Sequence, residues 1–271
     1  MNTIVLIQPN ATDHVIHFNY GHSIIHSGKF DCIAPYPLHP LQSRYYSDPF
    51  SLAELGKSKR RIKVLFSGKT LKDMYANVRV KKFFNVIPRL EVLQFILSRF
   101  DKRSRLLNKE SDKLILEQLL ASNDYSNEII ISEVKTNAED WLKILSKTDF
   151  FICPPGAKMP WCHNSVEAMA AGAIPILEYG NLFYPALQNM KNCLSYSNYA
   201  ELEKAINIAL EMDTVEIEAM RKNVLDYYNT YLSIPSITKK INTFSNSTNK
   251  ELKVAIPFVP TREEKLSIPS K

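Results

Sequence analysis

DFFICPPGAKMPWCHNSVEAMAAGAIPILEY, residues 149–179, decides how this chain is read. The run 149–155 is apolar and aromatic and leaves into a Gly/Pro loop. SVEAMAAG (165–172) has the spacing of a short helix that a glycine stops, and AIPILEY (173–179) is apolar again. Brief β-branched and aromatic runs bounded by turn residues make buried strands, and glycine is a common helix stop. The same alternation extends upstream. RIKVLFSG (61–68) reads as a strand. PRLEVLQFILSRF (88–100) reads as a helix with Leu90, Leu93, Leu97 and Phe100 on one face and Pro88 in its first turn. KLILEQLLAS (113–122) is helical, EIIISEV (128–134) a strand and AEDWLKILSKT (138–148) a helix. Helices at 200–212 and 215–232 follow. Strand and helix in alternation predict an α/β protein with a doubly wound parallel sheet.

Outside this region the signals change. Five of the six histidines precede residue 40, HVIHF (14–18) and FDCIA (30–34) look like short buried strands, and 36–60 is Pro-, Ser- and Lys-rich with little periodicity. From Ile234 polar residues dominate, apart from VAIPFV (254–259), which suits a docking tail or loose end. The expected division is therefore 1–60 as an incomplete region with a linker, 61–233 as the main domain and 234–271 as a tail. With 271 residues, 45% of them hydrophobic and 23% charged, the chain can bury a core, which excludes disorder as its main state. The net charge of +6 suits phosphate-bearing partners but is too small to nominate nucleic acid, and no aromatic RNA-binding motif accompanies it. Four scattered cysteines without a CxxC pair fit a reducing compartment. No apolar run approaches the ~18–20 residues that span a bilayer, and MNTIVLIQPN has no basic leader region, so a soluble, cytoplasmic chain is expected.

In an open parallel sheet, ligands bind beyond the carboxyl ends of the strands, where loops and helix N-termini offer free N–H groups to anions. Ser67, Gly68, Lys69 and Thr70 follow one strand and lead toward Lys72, Arg79, Lys81 and Lys82. Gly68 lets a backbone approach a phosphate and Lys69 adds charge, or the turn is simply solvated. An ATPase P-loop is excluded because residue 63 is Lys where the pattern needs Gly. In the second loop, Gly156 and Lys158 face the same edge, His163 precedes the helix, and Asn164 or Ser165 caps it with Glu167 in its first turn. A carboxylate beside helix N–H donors can take both hydroxyls of a ribose while the donors hold phosphates; the bland alternative is that Glu167 only favours the helix dipole. Trp161 can stack on a sugar or base, or anchor the loop.

The 149–179 stretch resembles the nucleotide-sugar signature of GT-B glycosyltransferases, a strand, a Gly/Pro loop and a helix reading E-A-M-x-A-G before a further apolar strand, and within them it is most similar to the exostosin-like family. Thr12 to Ile16 resembles that family's RDH segment and strand, Phe30 to Pro35 its D-V-x-x-P strand, and Ile62 to Gly68 its strand ending in a small residue and glycine. These landmarks cover roughly 10–210. The resemblance implies a GT-B type fold with a complete Rossmann-like donor domain and a partial N-terminal acceptor-side region. It implies a glycosyltransferase that moves a sugar from a nucleotide diphosphate sugar to a glycan or lipid-linked acceptor, with inversion, in surface polysaccharide synthesis. Glu167 would then hold the ribose. Ser165, Asn164, His163, Gly156, Lys158, Ser67, Gly68, Lys69 and Arg79 would surround the donor, with no metal and no cofactor. Two departures stand out: Met159 occupies the place of a second loop glutamate, and Asn164 the place of an arginine, so diphosphate charge is met by Lys158, Lys69, Arg79 or the backbone, or its neutralisation is weakened.

Inverting transfer also needs a base on the acceptor side. His14, Asp13 and His22 are the leading candidates, with His26 and Asp31 behind them; the early histidines do not make a recognised metal-ligand spacing. Basic side chains can also hold such an enzyme at the anionic inner face of a membrane. The alternative is a non-catalytic nucleotide-sugar-binding subunit of a larger glycosyltransferase.

Overall fold

The computed structural model describes residues 2–5, 15–20, 30–33, 38–46, 49–75, 78–157, 159–245 and 251–256. In chain order these form β1 (Asn2–Val5), β2 (Val15–Tyr20), β3 (Cys32–Ile33), α1 (Pro40–Tyr45), α2 (Pro49–Gly56), β4 (Ile62–Ser67), α3 (Lys72–Tyr75), α4 (Val78–Phe84) and α5 (Arg89–Arg99). There follow β5 (Ser104–Leu107), α6 (Asp112–Ala121), β6 (Ser126–Ser132), α7 (Ala138–Leu145), β7 (Thr148–Ile152), α8 (His163–Ala170), β8 (Ile174–Leu177), β9 (Leu194–Ser195), α9 (Tyr199–Glu211), α10 (Thr214–Tyr227), α11 (Ile234–Ser245) and β10 (Glu251–Ile256).

The chain divides into two compact units, Leu38–Tyr228 and the pair Met1–Pro37 with Asn229–Lys271. In the second of these, β2 pairs antiparallel with β1, and β10 lies parallel between β2 and β3. The stretch that composition marks as a docking tail thus supplies α11 and an internal strand, and Phe244, Leu252 and Val254 form a small core with Ile241. The sequence-based boundary at residue 60 differs from the one observed at Pro37, because α1 and α2 belong with the main unit.

The unit Leu38–Tyr228 holds the parallel α/β sheet expected from the sequence, in the order β5-β6-β4-β7-β8-β9 with flanking helices. Every side chain of β4 and β7 is buried, which is why both read as continuous apolar runs. Lys63 is the exception in β4, and its ammonium donates to the Met212 carbonyl at 2.7 Å, satisfying the buried charge. The buried face of α5 is Val92, Leu93, Ile96 and Phe100, with Arg89 beside them. This corrects the expected Leu90–Leu97 stripe: Arg89 occupies the inward position of the first turn and turns the face by one residue. Pro88 is the N-cap of α5 rather than part of its first turn.

The amino ends of the strands are pinned by a polar cluster. Arg60 donates to the carbonyls of Thr148 (3.1 Å), Ala171 (3.3 Å), Leu145 (3.4 Å) and Gly56 (3.3 Å). Burial first, and then the nearby Arg221 charge, lower its pKa to about 9. Asp149 accepts from Arg221 and from the Tyr125 hydroxyl at 2.5 Å. Helix α8 ends above this cluster in a Schellman motif: Ala173 N–H donates to Ala168 O (2.8 Å) and Gly172 N–H to Met169 O (3.1 Å), with Gly172 at φ +74°. A Cβ at Gly172 would stand 2.9 Å from an Arg60 nitrogen. Gly172→Ala is therefore expected to cost about 1–3 kcal/mol, from left-handed backbone strain plus displacement of Arg60, read as a lower urea midpoint at unchanged m-value.

Candidate functional site

β4 and β7 are neighbours at the point where the chain, having built β5 and β6 on one flank, crosses back to build the other. Their following loops, Ser67–Thr70 and Cys153–Cys162, therefore leave the same edge of the sheet side by side, and α8 begins where the second loop ends. Asn164, in the first turn of α8, donates to Ser67 O at 3.4 Å, and a Cβ on Gly68 would lie 3.4 Å from the same amide nitrogen. The second loop folds back on itself: Gly156 N–H donates to Pro160 O at 3.0 Å, and a Cβ on Gly156 would be 2.7 Å from Met159 O, so only glycine fits.

Arg89 joins the two loops, and sequence reasoning missed it. Its guanidinium donates to Lys69 O at 3.0 Å and Pro155 O at 3.2 Å and lies 3.9 Å over the Tyr75 ring. It is buried, and among the described residues no carboxylate pairs with it. The available signal was an arginine at the start of an apolar helix face, directly after a proline.

The start of α8 corrects the capping expectation. The N-cap is Cys162, in extended backbone, and no side chain caps the helix; Asn164 and Ser165 are its second and third residues. The Ser165 hydroxyl donates back to Cys162 O at 2.9 Å instead. Because the helix starts two residues earlier than expected and ends at Ala170, Glu167 lies in its second turn, not its first. Glu167 is buried, with Oε1 accepting from His39 N–H at 3.0 Å and Oε2 from the Trp141 indole N–H at 2.6 Å. Burial raises its pKa, and those two donors partly offset the rise.

His163 opens α8 with its ring 5.2 Å from that of His39, edge to face. Lys69 is exposed beside Gly68. Trp161 is buried against Phe183, ring centroids 5.8 Å apart, as a loop anchor. Arg79 falls within α4, and its side chain lies outside the described residues, as do Lys158, Asp13, His14, His22 and His26. Asp31 accepts from Lys253 N–H at 2.7 Å, which commits this carboxylate to the edge of β10. Among the described residues no group of three or more His, Cys, Asp or Glu is placed to hold a metal ion, and no helix is long and apolar enough to cross a membrane.

A second rim carboxylate, Glu178, immediately follows β8 and also escaped sequence reasoning. Its Oε2 accepts from Ile87 N–H at 2.6 Å, two residues before Arg89. Burial raises its pKa to about 7, against the lowering effect of that hydrogen bond.

No family model matches the chain, and no curated protein matches it in sequence. Among solved structures it is similar to an α-glucosyltransferase in complex with UDP and a DNA containing a HMU base, with 13% identity, 86% of this chain and 72% of that one covered, and a TM-score of 0.47. It is similar to Anabaena HepE in complex with UDP and glucose (12% identity, 79% and 56% covered, TM-score 0.43). It is also similar to the UDP-forming α,α-trehalose-phosphate synthase of Burkholderia vietnamiensis (13% identity, 79% and 52% covered, TM-score 0.41). The chain spans about half the length of several of these, 49% in the case of the Candida albicans trehalose-6-phosphate phosphatase N-terminal domain.

The Glu178 carboxyl binds its proton more tightly folded than unfolded, so stability falls as pH rises from about 4.5 to about 7. Full burial of the shift would be worth about 3 kcal/mol, and screening of this part-exposed group leaves about 1–2 kcal/mol. Glu178→Gln keeps an acceptor for Ile87 and removes the charge. Denaturation at pH 5 and pH 8 is expected to show the variant gaining on the wild type at pH 8 by that amount; a pH-independent difference refutes the assignment.

Proposed function

We propose that the rim formed by Ser67–Lys69, Gly156 and the start of α8 binds the diphosphate of a nucleotide sugar, and that the protein is a GT-B type glycosyltransferase of exostosin-like character. The observation that carries this reading is the buried Arg89 guanidinium, which ties both loops together and has no carboxylate partner among the described residues. A buried cation without a counter-ion, next to an uncapped helix N-terminus, favours an anion at that edge. It supplies the positive charge that the sequence lacks at Asn164, where the family pattern has arginine. Gly68 and Gly156 let the backbone come close to the phosphates, His163 and Lys69 stand at the opening, and Glu167 is the acceptor for a ribose hydroxyl.

In this reading the sugar passes to a glycan or lipid-linked acceptor with inversion, in surface polysaccharide assembly at the inner face of a membrane. The enzyme needs no metal, because cations and N–H groups carry the leaving diphosphate. The proton from the acceptor hydroxyl goes to a residue of the acceptor side, with His14, Asp13 and His22 first in line. The non-catalytic subunit reading differs in one measurable respect: it binds donors and transfers nothing.

Titration with UDP and GDP tests the site. At a hundredfold excess over Kd, the better of the two is expected to stabilise the fold by about 2.7 kcal/mol, seen as a rise of several degrees in Tm. In Arg89→Met, at a temperature where the variant is folded, affinity is expected to drop about tenfold or more. Radiolabelled donor panels then separate enzyme from subunit: hydrolysis or transfer that fails in Glu167→Ala supports the enzyme. Absence of binding by every nucleoside diphosphate sinks the proposal.

A further inference from the structure

The side chain assigned to the ribose is already engaged. Glu167 Oε1 takes the backbone N–H of His39 and Oε2 the indole N–H of Trp141, and the residue is 2% exposed. Trp141 belongs to α7, part of the sheet's own framework. His39 belongs to a separate strap, Leu38–Tyr46, containing the six-residue helix α1. From this we infer that the strap is a displaceable cover: it occupies the nucleotide's place on Glu167 through the His39 N–H and withdraws when a ribose hydroxyl replaces that donor. This inference rests on the nucleotide-sugar reading above and names how the same site is regulated.

The exchange conserves hydrogen bonds. A ribose O–H is a donor like the His39 N–H, so Oε1 keeps one partner while the freed N–H returns to water. Trp141 stays on Oε2 and holds the carboxylate in place. Among the described residues, two further hydrogen bonds tie the strap to α7, on which its helix packs. Gln42 donates to Ala138 O at 2.6 Å and Tyr46 to Glu139 O at 3.3 Å, both in the first turn of α7. The His39 ring rests edge-on against His163. Leu38, at the strap's start, is buried, while Leu41 and Tyr45 remain exposed, 44% and 49%, so α1 itself puts little apolar surface into the core.

A cover of this kind lowers apparent affinity by the fraction of molecules that are open. Hydrogen–deuterium exchange of the full chain with and without UDP, with calorimetric Kd values for the wild type and Gln42→Ala, tests it. Saturating UDP is expected to raise exchange of the 39–46 amides about tenfold while protecting 163–168. Gln42→Ala, which loses the anchor on α7, is expected to bind UDP about three- to tenfold more tightly. UDP that protects 163–168 while leaving exchange at 39–46 and the Gln42→Ala affinity unchanged overturns the cover and leaves the nucleotide-sugar site standing. Absence of UDP or GDP binding by both chains overturns the nucleotide-sugar reading and the cover with it.

Discussion

The carboxyl edge of the sheet is organised around one buried cation. Arg89 has no acid beside it among the described residues; two of its five N–H donors go to Pro155 O and Lys69 O, and its flat face lies on Tyr75. Taking a guanidinium out of water is tolerable when planar donors meet carbonyls and an aromatic ring. Two loops that the fold merely makes neighbours become a fixed pair. Ser67, Gly68, Gly156 and Asn164 derive their mutual positions from this tie together with the adjacency of β4 and β7.

What could be read in the sequence follows from how strongly each element depends on its neighbours. β4, β7 and β8 are buried on both sides and announce themselves as apolar runs. β5, Ser104–Leu107, is an edge strand with Arg105 and Leu106 exposed, so its four residues carry no run to notice. Helices α1 and α2 fall in a stretch without periodicity, and α1 is held by tertiary bonds such as Gln42 to Ala138 rather than by an apolar stripe. VAIPFV stood out only as an apolar run in a polar tail, because the place of β10 between β2 and β3 joins residues more than 200 positions apart and has no local signature.

The site was legible in its chain positions and not in its partners. Gly68 and Asn164, singled out from strand-loop-helix order, lie beside each other, while Gly156 turns against Met159 and Trp161 of its own loop. Arg89 lies in another element, and only the fold brings it to Pro155. The helix start was misjudged by two residues because Asn164 and Ser165 are good caps by type, yet their side chains turn to Ser67 O and Cys162 O. That shift carries Glu167 from the open first turn into the interior, where it needs protein donors to remain tolerable. The His39 and Trp141 contacts are thus consequences of where α8 begins.

The two ends of the sheet treat charge in opposite ways. At the amino end Asp149 accepts from both Arg221 and Tyr125, and Arg60 is surrounded by carbonyls, so the positive charge there has an acid in reach and a structural use. At the carboxyl end, among the described residues, Arg89 has no acid beside it, Glu178 accepts one N–H with no basic partner and is pushed up to about 7, and α8 begins without a side-chain cap. Unmatched groups cost stability and persist where something outside the chain completes them. The polarity of the parallel sheet supplies the geometry for such a partner at this end only, since that is where the loops and helix N-termini of every strand-to-helix crossover gather.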